Sequence, residues 1–452
     1  MNETPVAVVG GGLAGCECAL RLADAGMSVV LFEQKPEFRS PAHTSDALAE
    51  LVCSNSLRSD DIASGIGLLK AELRSLGSAF MACADATRIP AGKALAVDRN
   101  AFAAAMTRRV REHPRIDLRH RRIASLDDAA LDGMADVVIA AGPLAADGLS
   151  ASLADAVGAR HCYFYDAIAP IVWTHSLDMS VVFRASRYGQ EKGEDGGDYL
   201  NCPMSRDEYA AFYEALLGAE KTAAHAFEKE THFEGCMPVE ALAERGPRTL
   251  TFGPLKPVGF TDPRTGRRPW AVLQLRAESA NAEACNLVGC QTKLTHAAQA
   301  RVFRMVPGLE RAEFARFGSM HRNTYVNAPR ALTADLRLVA RPRFLLAGQI
   351  TGVEGYVESA ACGLWAALLL LAKARGRDLP PPPATTALGA LLGHLRAPAK
   401  RFQPSNAHFG LMPELGQRAG KRDRKALYSA RAQADFARWK AAYLPETGPE
   451  TA

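Results

Sequence analysis

A parallel α/β fold carrying an inserted second unit is the class this sequence predicts, and three stretches predict it. The N-terminal "PVAVVGGGLAGCECALRLADAGMSVVLFEQ" reads strand, glycine turn, helix, strand. "ADVVIAAGPLA" (Ala135 to Ala145) is an apolar strand running into Gly142-Pro143. "RPRFLLAGQITGVEGYVESAACGLWAALLLL" reads as a strand over Phe344 to Ala347, a glycine loop and a long apolar helix from about Glu358.

The first stretch is the most specific. Val6 to Val9 is the β-branched run of a strand buried on both faces of a parallel sheet. Gly10, Gly12 and Gly15 follow at once, with Gly11 between them. The first glycine of such a set makes the tight turn, the second admits a pyrophosphate, and the third lets the helix pack on the strand. The helix start then offers free N–H groups and a positive dipole end. Val29 to Phe32 forms the second strand, and Glu33 ends it where a carboxylate meets a ribose hydroxyl.

The second and third stretches favour FAD over NAD. A strand ending at Gly142 and a late strand with Gly348, Gln349, Tyr356 and Glu358 fit a flavoprotein of the two-dinucleotide type. In such a protein the late strand completes the first sheet and the next helix start approaches the flavin. The fold expected is therefore a Rossmann-like FAD-binding domain with an inserted α+β domain. The first part covers residues 1–195, the insertion 196–328, and the closing part with C-terminal helices 329–452. Composition shifts at "GEDGGD" (Gly193 to Asp198), and helices are expected over Ser205 to Leu217 and Asn286 to Met305. The tail after Pro383 reads as a short helix, a loop and a basic helix from about Arg422.

A chain of 452 residues is long for one domain, and 48% apolar content is ample for two cores. The net charge of +5 is small, but "RRVREHPRIDLRHRR" (Arg108 to Arg122) and "GKRDRK" (Gly420 to Lys425) concentrate it. Such clusters are either solvated surface or contacts for a polyanion. The ten cysteines show no CxxC, which points to reduced thiols. "CNLVGC" (Cys285 to Cys290) lacks a second pair, so no metal is expected. No secretory signal is visible, and the apolar run Leu364 to Ala372 is too short to cross a bilayer. A cytoplasmic protein with no membrane contact and no evident obligate protein partner is expected.

Taken together, "GGGLAG", "ELVCSNSLRS" (Glu50 to Ser59), "FEGCMPVE" (Phe233 to Glu240), "MHRNTYVN" (Met320 to Asn327) and "AGQITGVEGYVESAACG" resemble one family. It is the folate- and FAD-dependent tRNA (uracil-5-)-methyltransferases, TrmFO, and the matching motifs span nearly the whole chain. The resemblance implies formation of 5-methyluridine in the T-loop of tRNA. Methylenetetrahydrofolate would be the one-carbon donor, and FAD reduced by NADH or NADPH the reductant. Ribosomal RNA as the target, a tRNA wobble-uridine-modifying flavoprotein and another flavin oxidoreductase remain alternatives at this point.

Uracil carbon 5 is a weak nucleophile until a thiolate adds to carbon 6, so the implied reaction needs a thiol, a base, reduced flavin and a folate platform. A buried inert thiol is the default for any one cysteine, but the resemblance singles out two. Cys53 precedes Ser54, Asn55 and Ser56, which read as caps of a helix running to about Leu76, and a helix start lowers a thiol's pKa. Cys236 lies on a Gly-Cys turn of the insertion. Cys236 is assigned the attack on carbon 6, and Cys53 the carbon 5 proton beside the flavin; the roles can be exchanged. Cys16, Cys18 and Cys362 read as packing. His321, Arg322 and Asn323 are assigned to folate, with His321 stacking on the pterin or the flavin. RNA would bind through the basic patches.

Overall fold

The computed structural model describes residues 4–158, 162–187, 196–222, 237–399, 402–416 and 420–444. Five short runs, Phe344–Leu346, Val137–Ile139, Val6–Val9, Val29–Glu33 and Ile116–His120, lie side by side in that order as an all-parallel sheet. The four strands other than Ile116–His120 are buried at every position. That burial is why they read as unbroken apolar runs instead of alternating ones. The late strand thus joins the first sheet, pairing Phe344 with Val137 and Leu346 with Ile139.

The helix after the glycine turn, Leu13–Asp24, packs against the closing helix Tyr356–Ala374. A Cβ built on Gly363 would stand 2.1 Å from the Ala14 carbonyl oxygen, so only glycine permits this approach. The closing helix is long and apolar enough to cross a membrane, but most of it is buried inside the protein as a core helix.

The second unit is a six-stranded sheet ordered Phe183–Arg184, Leu200–Met204, Ala271–Ala277, Ala284–Leu287, Ile171–Trp173, Phe314–Arg316, its registered pairs all antiparallel. Two of its strands precede residue 196. The helices Arg206–Leu217 and His296–Phe303 cover it, and its core runs from Val172 to Ala312. Ser205 and Glu208 form a reciprocal capping box at the first of these helices. The helix expected from Asn286 is a strand as far as Leu287 and becomes helical only at His296, where Thr295 caps it. Gly289 has φ +74, which breaks any continuous helix there. The chain enters this unit through Cys162–Ala167 and leaves through Met320–Tyr325, and those two segments pair as an antiparallel ribbon.

The tail adds helices Ala387–His394 and Lys421–Tyr443. The first is capped from outside: Glu72, fully buried on the helix Gly65–Ser75, accepts the N–H groups of Ala387 (2.8 Å) and Leu388 (2.7 Å). Burial outweighs those bonds and pushes its carboxyl up to about 8. A folded-state pKa above the unfolded value contributes stability below about pH 4.5 that is lost as pH rises through about 8. Glu72→Gln is therefore expected to flatten the fall in urea-unfolding free energy between pH 5 and 9, by several kcal/mol at about 1.4 kcal/mol per pH unit. Parallel pH profiles for the two proteins would contradict this.

Candidate active site

The glycine turn opens into a trough bounded by Gly10, Gly12, Glu33, Gly142, Gly348 and Gln349. Gly10 has φ +108, and a Cβ there would stand 2.5 Å from the Ala140 carbonyl oxygen. At Gly15 it would meet the Gly10 carbonyl oxygen at 1.8 Å, whereas at Gly12 it would meet nothing within 4 Å. The turn is thus tight behind and open in front. The helix Leu13–Asp24 has no side-chain cap, so its first N–H groups face the trough unclaimed by a capping side chain. Glu33 receives the Gly11 N–H on one oxygen (2.8 Å) and the Lys35 N–H on the other (2.9 Å), which fixes its carboxylate at the strand end. An anion pole, an open glycine face and a carboxylate one strand away are the donor set a dinucleotide requires, and FAD fits it.

At its far end the trough passes into a chamber, sharing Val52, Pro143, Leu144, Gln349 and Tyr356 with it. Cys53 is half-buried in that chamber. It does not precede a helix. Ser56–Ser59 is a strand paired with Ala94–Val97, and the helix begins only at Gly65, capped by Ser64. The residues expected to cap a helix are engaged elsewhere. Asn55 donates to the carbonyls of Val97 (3.0 Å) and Ala277 (2.8 Å), and Ser54 accepts from Arg276.

What holds the Cys53 loop is side chains from remote segments. The Tyr356 hydroxyl oxygen accepts the N–H groups of Cys53 (2.7 Å) and Ser54 (3.2 Å). Arg276 donates to Asn55 Oδ1 (2.8 Å) and Ser54 Oγ (2.6 Å). Arg316 donates to the carbonyls of Val52 (2.9 Å) and Ala42 (3.2 Å), and Arg99 to that of Leu51. Burial pushes the Tyr356 phenol up, so it stays protonated. Arg276 and Arg316 both act electrostatically on Cys53. Positive charge beside this thiol comes from arginines of the second sheet, not from a helix end.

Glu358 lines the same chamber and is buried; Arg58 (3.1 Å) and the Ala407 N–H (2.9 Å) bind one oxygen. Arg58 stands at φ +64, and the buried ammonium of Lys70 braces that turn by donating to the Arg58 and Ser59 carbonyls. Burial lowers Lys70 to about 7. Gln349 donates to Glu354, which brings a carboxylate to the closing glycine loop. Asn323 lines the chamber, and His321 and Arg322 precede it on the ribbon strand, His321 in register with Asp166. Cys236 lies outside the described residues. Val239, three residues further on, donates its N–H to the carbonyl of Gln291 (2.7 Å), a residue of the chamber wall.

Sequence reasoning missed Arg99, Arg276, Arg316, Lys70 and Glu354. Single arginines in a strand (Arg276, Arg316) or at a helix start (Arg99) carry no local signal, and only the tertiary fold gives them a role. Cys16, Cys18, Cys285, Cys290 and Cys362 are buried, and burial pushes their thiols up. Part of the first basic cluster is engaged within the protein. Arg109 pairs with Asp24, Arg119 with Asp117 and Arg121 with Asp128, while Arg122 lies over the Phe38 ring.

A family model described as glucose inhibited division protein A matches residues 5–378. The chain is 68% identical to the methylenetetrahydrofolate--tRNA-(uracil-5-)-methyltransferase TrmFO of Nitratidesulfovibrio vulgaris Hildenborough, over 97% of this chain and 92% of that one. It is 57% identical to the protein of that name from Lawsonia intracellularis, over 97% and 98%. Among solved structures, Aquifex aeolicus GidA in its form II crystal superposes with a TM-score of 0.66 at 15% identity, covering 97% of this chain and 73% of that one, a likeness of fold. With this identity running through nearly the whole of both chains, the protein belongs to the TrmFO family of GidA-like flavoproteins.

Proposed function

We propose that the protein forms 5-methyluridine in the T-loop of tRNA, with methylenetetrahydrofolate as one-carbon donor and NAD(P)H as the source of reducing equivalents. The observation that carries this reading is the position of Cys53, in a chamber that opens off the end of the dinucleotide trough. The names of the relatives support the same reaction. FAD, once reduced, supplies the hydride that converts the transferred methylene into a methyl group.

Within this reading the glycine turn and the helix start hold the pyrophosphate, and Glu33 holds a ribose hydroxyl. Gly142, Gly348, Gln349, Tyr356 and Glu358 border the flavin end. Cys236 is assigned the attack: its thiolate bonds to uracil carbon 6, and the carbon 5–carbon 6 π pair moves onto the carbon 4 oxygen as an enolate. Carbon 5 then bonds the one-carbon unit. Cys53 takes the carbon 5 proton, and the pair left behind expels the carrier nitrogen from the one-carbon unit, leaving an exocyclic methylene. A hydride supplied by reduced FAD would add to that carbon, and the enolate pair so restored expels the Cys236 thiolate from carbon 6 as the ring double bond re-forms. Tyr356, Arg276 and Arg316 keep the Cys53 backbone in one place while this happens, and pre-set geometry is what such a transfer needs. His321, Arg322 and Asn323 are assigned to the folate. The unit between the two ribbon strands is the RNA and folate side, and the cytoplasm is the expected compartment.

The test is direct. The protein is loaded with FAD and given a tRNA transcript, NADPH and methylenetetrahydrofolate labelled in its one-carbon unit; the RNA is then digested to nucleosides. Labelled 5-methyluridine from the T-loop is the expected product. Turnover of NADPH with no label in the RNA would overturn the reading.

A further inference from the structure

The second unit carries a basic groove at the end of the strand Ala271–Ala277 remote from Cys53. Arg248, Arg264, Arg267 and Arg268 line it with Arg206, together with the aromatic rings of Phe252 and Trp270. Both rings are exposed, Phe252 to 69% and Trp270 to 39%. Each has a guanidinium over its face: Arg248 lies 5.1 Å from the Phe252 centroid and Arg206 lies 5.4 Å from that of Trp270.

Most of the charge here has no carboxylate partner among the described residues. Two carboxylates border the groove, and both are committed: Asp262 pairs with Arg264, and Glu208 closes the capping box on Ser205. Arg206, Arg248, Arg267 and Arg268 have no ion-pair partner among the described residues. An exposed phenylalanine and tryptophan among free arginines are costly on a surface that meets only water. They suit a ligand with both phosphates and flat faces, because unpaired bases stack on aromatic rings and guanidinium planes while the backbone meets the cations.

We propose that this groove binds unpaired nucleotides of the RNA substrate at a distance from the methylated base. The inference rests on the methyltransferase reading above. Trp270 and Arg276 stand six residues apart along one extended segment, roughly 20 Å, and Arg276 grips the loop of Cys53. The groove and the thiol are therefore two ends of one rigid strand. An RNA whose uridine enters the chamber has its neighbouring segment held along the second sheet.

The experiment compares the FAD-loaded wild type with Arg248→Gln/Arg267→Gln/Arg268→Gln and, separately, Phe252→Ala, whose exposed ring can be removed without opening the core. Binding of a tRNA transcript is measured by filter retention from low to high salt, and methylation by initial rates. The triple variant should raise Kd and KM for the RNA at least tenfold, with most of the loss in KM instead of kcat. Its log–log salt slope should fall by roughly 0.7 for each phosphate contact removed. Phe252→Ala should weaken binding about tenfold with the slope unchanged, as expected for loss of one stacked base. If both variants bind tRNA as the wild type does, the groove is not an RNA site, even where the wild type methylates normally. A wild type that binds through the groove but makes no 5-methyluridine would instead overturn the methyltransferase reading and leave the groove standing.

Discussion

Cys53→Ala is expected to abolish methyl transfer while RNA bearing 5-fluorouridine still becomes covalently attached to the protein; Cys236→Ala is expected to abolish both. Fluorine at carbon 5 cannot leave as a proton does, so the adduct at carbon 6 accumulates wherever the attacking thiol remains. The later step proposed for Cys53 suits its place: it lines the chamber whose wall shares Gln349 and Tyr356 with the dinucleotide trough. Removing a positioned proton-transfer group costs on the order of 10² to 10⁴ in rate. Arg276 binds Ser54 and Arg316 binds Val52, the residues on either side of this thiol, so positive charge flanks it. The adduct is read as a slow-migrating band in denaturing gels, and peptide mapping identifies the attached residue. An adduct mapped to Cys53 would exchange the two roles. Full activity in either alanine variant would return that cysteine to ordinary packing.

Gly12→Leu should give a folded, colourless protein. A Cβ at position 12 meets no protein atom within 4 Å, so a side chain there starts out into the open face of the glycine turn, where the pyrophosphate would lie. The fold loses nothing, but the cofactor loses its approach. Gly15→Ala makes the contrast, because its Cβ would fall 1.8 Å from the Gly10 carbonyl oxygen and force the helix off the strand. Overpacking of this kind costs about 1–3 kcal/mol or more. Flavin absorbance after FAD incubation, with thermal midpoints measured with and without FAD, separates the two. Gly12→Leu should keep the apo-protein midpoint and gain nothing from FAD. Gly15→Ala should lower the midpoint itself. A yellow Gly12→Leu protein would contradict the assignment of the trough.

The parts of this molecule legible in its sequence are those specified by neighbours in the chain. Val6–Val9, the glycine spacing and Glu33 are one local unit, and each member has the place its chemistry predicts. The Cys53 loop defeated the same reasoning. Ser54, Asn55 and Ser56 have the composition of a helix cap, but the bonds of Ser54 and Asn55 reach Arg276, Val97 and Ala277, as far as 222 residues away, and Ser56 accepts the Arg58 N–H inside a strand. Side-chain amides and hydroxyls serve caps and tertiary bonds equally well, and the sequence does not say which. The Arg108–Arg122 cluster shows a related blind spot. Counting charge along the chain does not reveal that Asp24 and Asp128 fold back onto it. Arg206, Arg248 and Arg268 are spread over more than sixty residues of sequence and form a cluster only in space.

The pairing of Phe344–Leu346 with Val137–Ile139 has a consequence for how the chain is made. Loop-closure entropy opposes so distant a parallel pairing, which is why such sheets form slowly. On the ribosome, Val137–Ile139 emerges some two hundred residues before its outer partner. Throughout that interval the nascent sheet has an open, apolar edge, the kind of surface that recruits other chains. The second unit is synthesised entirely within the interval, and its antiparallel strands need no late partner. Order is therefore established from the middle of the chain outward: the insertion can mature first, and the sheet whose strands flank it in sequence is sealed last.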